Sequence, residues 1–364
     1  MSRFARRGTT DSGKRAISRG CKWLAVCFFL IFIHACRPDV GTINIPPQGE
    51  ISPSSSLPAG TSTLQQIATL SQTNLPTNTP VYTTESKAPQ PSLTITPLPS
   101  STATQAVIFA AIGDYGSSNR SEADVAKLVL NWKPDFIITL GDNNYPSGAA
   151  NHIDEAVGQF YHNYIYPYIG NYGTGAEVNR YFPSLGNHDL ISQSGQPYYD
   201  YFTLLGNERY YDFTWGPVHL FALDNIESEP DGVGVSSTQA TWLKARLAAS
   251  TSAWNVVYMH YPPYSSGKHG STDWARWPYK EWGADTVLAG HDHTYERLIE
   301  DELIYFVNGL GGNGRYEFVD ILDGSQVRYN ADYGAMRVEV TEERIRFEFI
   351  TLKGDVVDSY ELRK

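Results

Sequence analysis

Five apolar stretches of this chain run directly into aspartate, asparagine or histidine, four of them through a glycine. That pattern restricts the fold more than any other feature. Val107 to Ile112 leads into Gly113-Asp114-Tyr115-Gly116, and Asp135 to Leu140 into Gly141-Asp142-Asn143-Asn144-Tyr145. Pro183-Ser184-Leu185 precedes Gly186-Asn187-His188-Asp189, Val256 to Met259 precedes His260, and Val287-Leu288-Ala289 precedes Gly290-His291-Asp292-His293. A short continuous apolar run is the signature of a strand covered on both faces. In α/β sheets the loops at the carboxyl ends of such strands converge on one crevice. Glycine at the turn permits positive φ and close backbone approach.

The segments between these runs support the same architecture. Ser121 to Leu130 has helical spacing with Ser121 as its N-cap, Ile153 to Tyr164 reads helical, and Thr238 to Ala249 does so more clearly. With strands expected at Trp254 to Met259 and Asp285 to Ala289, the alternation indicates an α/β core. Beyond Leu303 the chain reads mostly as strand, at 303–307, 335–341, 345–352 and 356–362, with no internal repeat. One domain over 105–364 is the expected division, and a separate C-terminal β-hairpin unit is the alternative.

The remainder of the chain differs sharply in composition. Residues 1–36 hold seven Lys/Arg against one Asp, then an apolar run from Trp23 to Ile33 that ends in His34-Ala35-Cys36. That run is short for a membrane span, so 1–36 reads as a signal peptide with a bacterial lipobox-like end and Cys36 as the lipidated residue. Residues 37–104 contain eleven of the 21 prolines and few charges. Such a stretch buries too little apolar surface to order itself and reads as a disordered Pro/Ser/Thr-rich stalk. An extracytoplasmic location follows, either secreted or lipid-anchored at the surface. The net charge is −11 although 1–36 is basic, which leaves −16 on 105–364. A domain that acidic repels polyanions, so nucleic acid is excluded as the main partner.

All three cysteines lie within 1–36. Any metal in the domain therefore takes nitrogen and oxygen ligands, and a cysteine-based structural zinc site is excluded. The strand-end motifs supply Asp114, Asp142, Tyr145, Asn187, His260, His291 and His293. These donors suit Fe, Zn or Mn, and seven exceed the needs of one tetrahedral ion. With one bridging carboxylate they fit a pair about 3.5–4 Å apart. Neither a Gly-Lys-Ser/Thr phosphate loop nor a Gly-x-Ser-x-Gly elbow is present.

In this order the motifs resemble the purple acid phosphatases of the calcineurin-like metallophosphoesterase superfamily, most closely the small tartrate-resistant type. The likeness runs from about Val107 to Asn313. It implies a four-layer metallophosphoesterase fold (α/β, or α+β by some schemes), a two-sheet β-sandwich flanked by helices. It further implies that Asp114, Tyr145 and His293 hold ferric iron, and that Asn187, His260 and His291 hold Fe2+, Zn2+ or Mn2+. Asp142 would bridge the two ions. His188 and His269 would contact phosphate and protonate the leaving oxygen, while Asp189 would orient a histidine. Tyr145 is the discriminating ligand, because many relatives in the wider superfamily lack it and use two divalent ions. The implied reaction is hydrolysis of small phosphate monoesters by a metal-bound hydroxide attacking phosphorus in line. A phosphodiesterase or nucleotide hydrolase on the same residues is the alternative, and a non-catalytic surface-anchored binding protein is a third. The tyrosines at 161, 164, 166, 168, 172, 261 and 264 are expected to pack loops rather than line a cleft.

Overall fold

The computed structural model describes residues 106–364; the signal-like segment, Cys36 and the proline-rich stretch lie outside the described residues. In chain order the first strands are β1 (Val107–Ile112), β2 (Phe136–Thr139), β3 (Tyr181–Pro183), β4 (Tyr211–Trp215), β5 (Val218–Ala222) and β6 (Trp254–Tyr258). They are followed by β7 (Thr286–Ala289), β8 (Tyr295–Glu300), β9 (Leu303–Asn308), β10 (Ser325–Tyr329), β11 (Gly334–Val340), β12 (Arg344–Thr351) and β13 (Val356–Arg363). The helices are α1 (Arg120–Asn131), α2 (Gln159–Tyr161), α3 (Gln196–Tyr201), α4 (Thr238–Ala249) and α5 (Tyr279–Trp282). Among the described residues no helix is long and apolar enough to cross a membrane.

Two sheets result, ordered β13-β12-β11-β1-β2-β3 and β10-β8-β9-β7-β6-β5-β4. Strands β1, β2 and β3 are mutually parallel, as are β5, β6, β7 and β9. Side chains alternate between faces along each strand, and here both faces are covered. Phe109, Ala111, Phe136 and Ile138 meet Leu220, Ala222, Val256, Tyr258 and Leu288 in the core between the sheets. Ala110, Ile112 and Ile137 point the other way and pack with Val125 and Val129 of α1 and Tyr198 of α3. On the far side Phe221, Val257 and Val287 pack with Leu243 and Leu247 of α4. The layers are thus helix, sheet, sheet, helix, which is the metallophosphoesterase sandwich. The last three strands extend the first sheet through antiparallel pairing of β11 with β1, so they do not form a separate hairpin unit.

One local expectation is corrected, and another is met by a helix of mixed type. The N-cap of α1 is Asn119, whose side chain accepts from Glu122 N, and Ser121 lies inside the helix. Asn119 Oδ1 accepts the Glu122 amide while the Glu122 carboxylate turns back to Ser117 N and Ser118 N, which fixes the cap two residues before Ser121. The segment from Asp154 to Tyr164 is a π turn, one α turn and a 3-10 turn in succession.

What matters for function is that the carboxyl ends of both parallel blocks meet at one edge. Asn308 Nδ2 donates to Ala111 O at 2.9 Å, Gly311 N to Gly113 O at 3.0 Å and His260 Nδ1 to Leu140 O at 2.8 Å, joining the sheets there. Gly290 sits in that junction. A Cβ on it would lie 2.5 Å from Leu140 O and 2.7 Å from an Asp114 oxygen, so no larger residue fits between the sheets at this point.

Candidate metal centre

Asp114 and Asp142 each lie just past a strand end, in the left-handed backbone region with φ 56° and 54°, and His291 does so at φ 71°. Non-glycine residues in that region are uncommon, and each costs on the order of 1 kcal/mol or more. Three at one edge turn their side chains into a common space. Asp114 Oδ2 accepts the His291 amide at 2.8 Å, and Asp142 Oδ1 accepts the His188 amide at 2.9 Å. The Tyr145 hydroxyl donates to Asp142 Oδ2 at 2.7 Å and lies 3.2 Å from both Asp114 Oδ1 and His293 Nε2. His293 Nε2 is 3.4 Å from Asp114 Oδ1.

On the other side of Asp142, His260 donates through Nδ1 to Leu140 O, which turns Nε2 inward. That nitrogen lies 3.0 Å from Asn187 Oδ1 and 3.5 Å from Asp142 Oδ1. Ligand atoms of Asp114, Asp142 and His260 all fall within 4.8 Å of one another. The His291 ring packs 5.0 Å from that of His260 and 4.3 Å from that of His269, and the His188 ring lies 4.5 Å from Tyr145. All nine residues singled out in the sequence therefore stand at this edge.

Electrostatics separate their states. Burial, then the Asp114 and Asp142 carboxylates, push the Tyr145 phenol well up, so it donates rather than accepts. Burial and the neighbouring histidines hold His291 well below its ordinary value, which leaves a neutral ring with a free lone pair. Burial opposes protonation of His260, but Asp142 and Asp114 overcome it and bring it up.

The donor set fits metal ions on its own chemistry. Asp114 and Asp142 are 0 % and 2 % exposed, and among the described residues no lysine or arginine pairs with either. Two buried carboxylates cannot stand uncompensated, and the groups facing them are imidazoles, an amide oxygen and a phenol. Metal-ligating histidines commonly donate their other nitrogen to a carbonyl, as His260 does to Leu140.

Several supporting residues had no clear signal in the sequence. Tyr316, beyond the last motif, stacks on His293 at 4.1 Å with the rings 7° apart. Asp292 accepts the His269 amide at 2.8 Å and the Ser265 hydroxyl at 2.5 Å, so it anchors the loop that carries His269. Its place between two site histidines was the one hint. Asp189 accepts from Gly186 N and from both nitrogens of Asn143 and has no histidine among its partners. It braces two metal loops against each other instead of orienting a ring. Of the tyrosines, 161 and 164 are buried as packing groups, whereas Tyr261 lies 4.3 Å from His291 and belongs to the site.

A two-sheet sandwich whose strand ends gather oxygen and imidazole donors around buried carboxylates that no lysine or arginine among the described residues balances defines a metal-dependent phosphoesterase. Residues 108–295 match the family model for calcineurin-like phosphoesterase, and the chain belongs to that family. The mouse tartrate-resistant acid phosphatase type 5 is 26% identical over 242 residues, covering 56% of this chain and 72% of its own length. The Fe(3+)-Zn(2+) purple acid phosphatase 12 of Arabidopsis thaliana is 25% identical over 261 residues, with 61% and 54% covered. Among solved structures, the purple acid phosphatase PPD1 of yellow lupin seeds superposes with a TM-score of 0.59 at 18% identity, covering 71% of this chain and 54% of that one. That last likeness is one of fold.

Proposed function

We propose that this protein hydrolyses small phosphate monoesters on a dinuclear centre of the purple acid phosphatase type. The observation that carries the reading is the pair of buried carboxylates, Asp114 and Asp142, faced by imidazoles, a phenol and an amide oxygen and, among the described residues, by no lysine or arginine. Asp114, Tyr145 and His293 would hold ferric iron, Asn187, His260 and His291 a divalent Fe, Zn or Mn, and Asp142 would bridge. Tyr145 favours the trivalent ion, because a phenolate is a hard, strongly basic ligand and its phenol already contacts both carboxylates. When bound, the two cations would neutralise phosphate oxygens and lower the pKa of a water toward neutrality.

The protein's own groups do the rest. His188 donates through Nδ1 to Pro146 O at 2.6 Å, so Nε2 faces outward at a partly exposed position beside Tyr145. His269 is held by Asp292 against His291. Water oxygen bonds to phosphorus as one of its protons passes to solvent, the bond to the ester oxygen breaks, and that oxygen takes a proton from His188 or His269, which solvent then restores. As part of the same proposal, the protein works outside a bacterial cytoplasm, tethered through Cys36; Cys36→Ala would then release it from the membrane fraction.

Metal analysis, a visible spectrum and turnover of chromogenic mono- and diesters by the purified protein test this reading. Iron, a visible band lost in Tyr145→Phe, and faster monoester turnover are expected, with activity lost in Asp142→Ala and His291→Ala. Full activity in either alanine variant would sink the site, and two zinc or manganese ions without colour would sink the purple type.

A further inference from the structure

The loop that leaves β6 at His260 carries one more group beside the site. Residues 265–269 fold around the buried Asp292 carboxylate. Ser265 Oγ donates to it at 2.5 Å, His269 N donates to it at 2.8 Å, and Gly267 N donates back to Ser265 Oγ at 3.0 Å. A Cβ on Gly267 would lie 2.4 Å from the Asp292 carboxyl carbon, so the wrap is close. This fixes the backbone of the next residue, Lys268. Its ammonium stands 4.6 Å from the centre of the Tyr316 ring, which stacks on His293 and lies 5.3 Å from His269. Lys268 is exposed and has no carboxylate partner among the described residues, in a domain that carries −16.

An unpaired cation held over an aromatic ring that touches two site histidines is placed to meet an anion beside the reacting phosphoryl group. We propose that Lys268, seated on Tyr316, is a specificity-determining residue. It would select phosphoric substrates whose leaving group bears a second anionic charge, such as phosphoanhydrides, over esters with an uncharged leaving group. The inference rests on the phosphoesterase reading above and adds the substrate class to it. In the anhydride reaction water oxygen bonds to one phosphorus, the bond to the bridging oxygen breaks, and that oxygen takes a proton, giving two phosphates. Lys268 meets the charge on the departing half and takes no proton.

The test compares kcat/KM for pyrophosphate and for phenyl phosphate in the wild type, Lys268→Gln and Lys268→Glu. Calorimetric binding of methylenediphosphonate and of methylphosphonate serves as a readout that needs no turnover. The pyrophosphate-to-phenyl phosphate ratio is expected to fall about three- to tenfold in Lys268→Gln and further in Lys268→Glu. The diphosphonate preference should fall with it, and the wild-type ratio should shrink as salt screens the ammonium. Equal ratios in all three proteins would overturn the role of Lys268 while leaving the phosphoesterase reading intact. A wild type that turns over neither substrate would instead overturn that reading, and this one with it.

Discussion

Carboxylates survive in two different ways at two places in this molecule. On the face of the first sheet turned away from the core, Glu339 and Glu348 both pair with Arg337, Glu339 and Glu361 with Arg344, Glu348 with Arg346 and Glu361 with Arg363. Alternation puts Val338, Phe347 and Phe349 in the core, so the charged residues between them form a ladder in which every carboxylate has two guanidinium partners. At the strand-end edge Asp114 and Asp142 are more deeply buried and face only imidazoles, a phenol and backbone amides. A balanced network is a structural device; an unbalanced one asks for an ion the chain does not supply. The contrast locates function without reference to any motif.

The sharpest way to break the contrast is Asp142→Asn. Hydrolysis should drop by about 10³-fold or more, since the carboxylate proposed to bridge the ions is gone. In metal-free protein the same change should raise stability by about 1–3 kcal/mol, because it removes a buried charge that no lysine or arginine balances, while the amide oxygen still accepts from His188 N and the amide NH2 can donate to the Tyr145 hydroxyl. Denaturant unfolding in chelator measures it. Metal-free Asp142→Asn no more stable than the metal-free wild type would mean that the edge compensates its own charge.

Removal of metal comes next. If the edge needs cations to balance, chelation should lower Tm by about 5–10 °C, as expected for an ion present at roughly a hundred times its dissociation constant. Added Fe, Zn or Mn should restore it. A calorimetric Tm that ignores chelator would leave the carboxylates without the partner proposed for them.

How much of this was legible beforehand depended on which periodicity a strand carried. Buried parallel strands β1, β2, β6 and β7 are largely apolar runs, free of charged residues, that lead into glycine or histidine, and the site residues follow from those ends. Four other strands gave no such signal. In β4 and β8 charged residues interrupt the run, as Asp212 does in one and Glu296 and Arg297 in the other. In β10 the sequence Ser-Gln-Val-Arg-Tyr looks like loop, and β5 contains His219, held by Asp212 at 2.7 Å. The candidate ligands were visible because each follows the end of a buried strand. Tyr316 and Asn313 were not, because loop closure alone brings them back; the Asn313 amide reaches Asp114 O at 3.0 Å. No local pattern records that contact.

Glu122 sharpens the comparison by offering a third route, a proton. It is fully buried, its Oε2 accepts from Ser117 N and Ser118 N, and its Oε1 has no partner among the described residues. Burial outweighs those two amides and pushes the carboxyl well above its ordinary 4.5. A raised folded value means its contribution is whole below pH 4.5 and is lost as pH climbs through the folded value. Glu122→Gln keeps a side-chain oxygen that can accept from Ser117 N and Ser118 N and removes that slope. In urea titrations the variant should therefore gain on the wild type as pH rises from 4 to 8, by about 1–2 kcal/mol. A difference that stays flat would show the carboxylate to be ionised throughout.

The smallest effect belongs to the ladder and tests whether burial decides what a balanced pair contributes. Glu361 pairs with Arg363, whose side chain is 68% exposed, and more distantly with Arg344. Exposed pairs contribute little, so Glu361→Gln should change stability by no more than about 0.5 kcal/mol. Salt at 1 M should erase even that, since screening then acts over about 3 Å. Glu348 is only 12% exposed and serves both Arg337 and Arg346. Its replacement by Gln leaves Arg346 without a carboxylate and the more buried Arg337 with Glu339 alone, and should cost about 1–2 kcal/mol. Neither change reaches the strand-end edge, so the stability increment on adding metal should be the same in both variants as in the wild type. If Glu361→Gln costs as much as Glu348→Gln, depth of burial is not what separates the two, and the ladder holds together as one cooperative network.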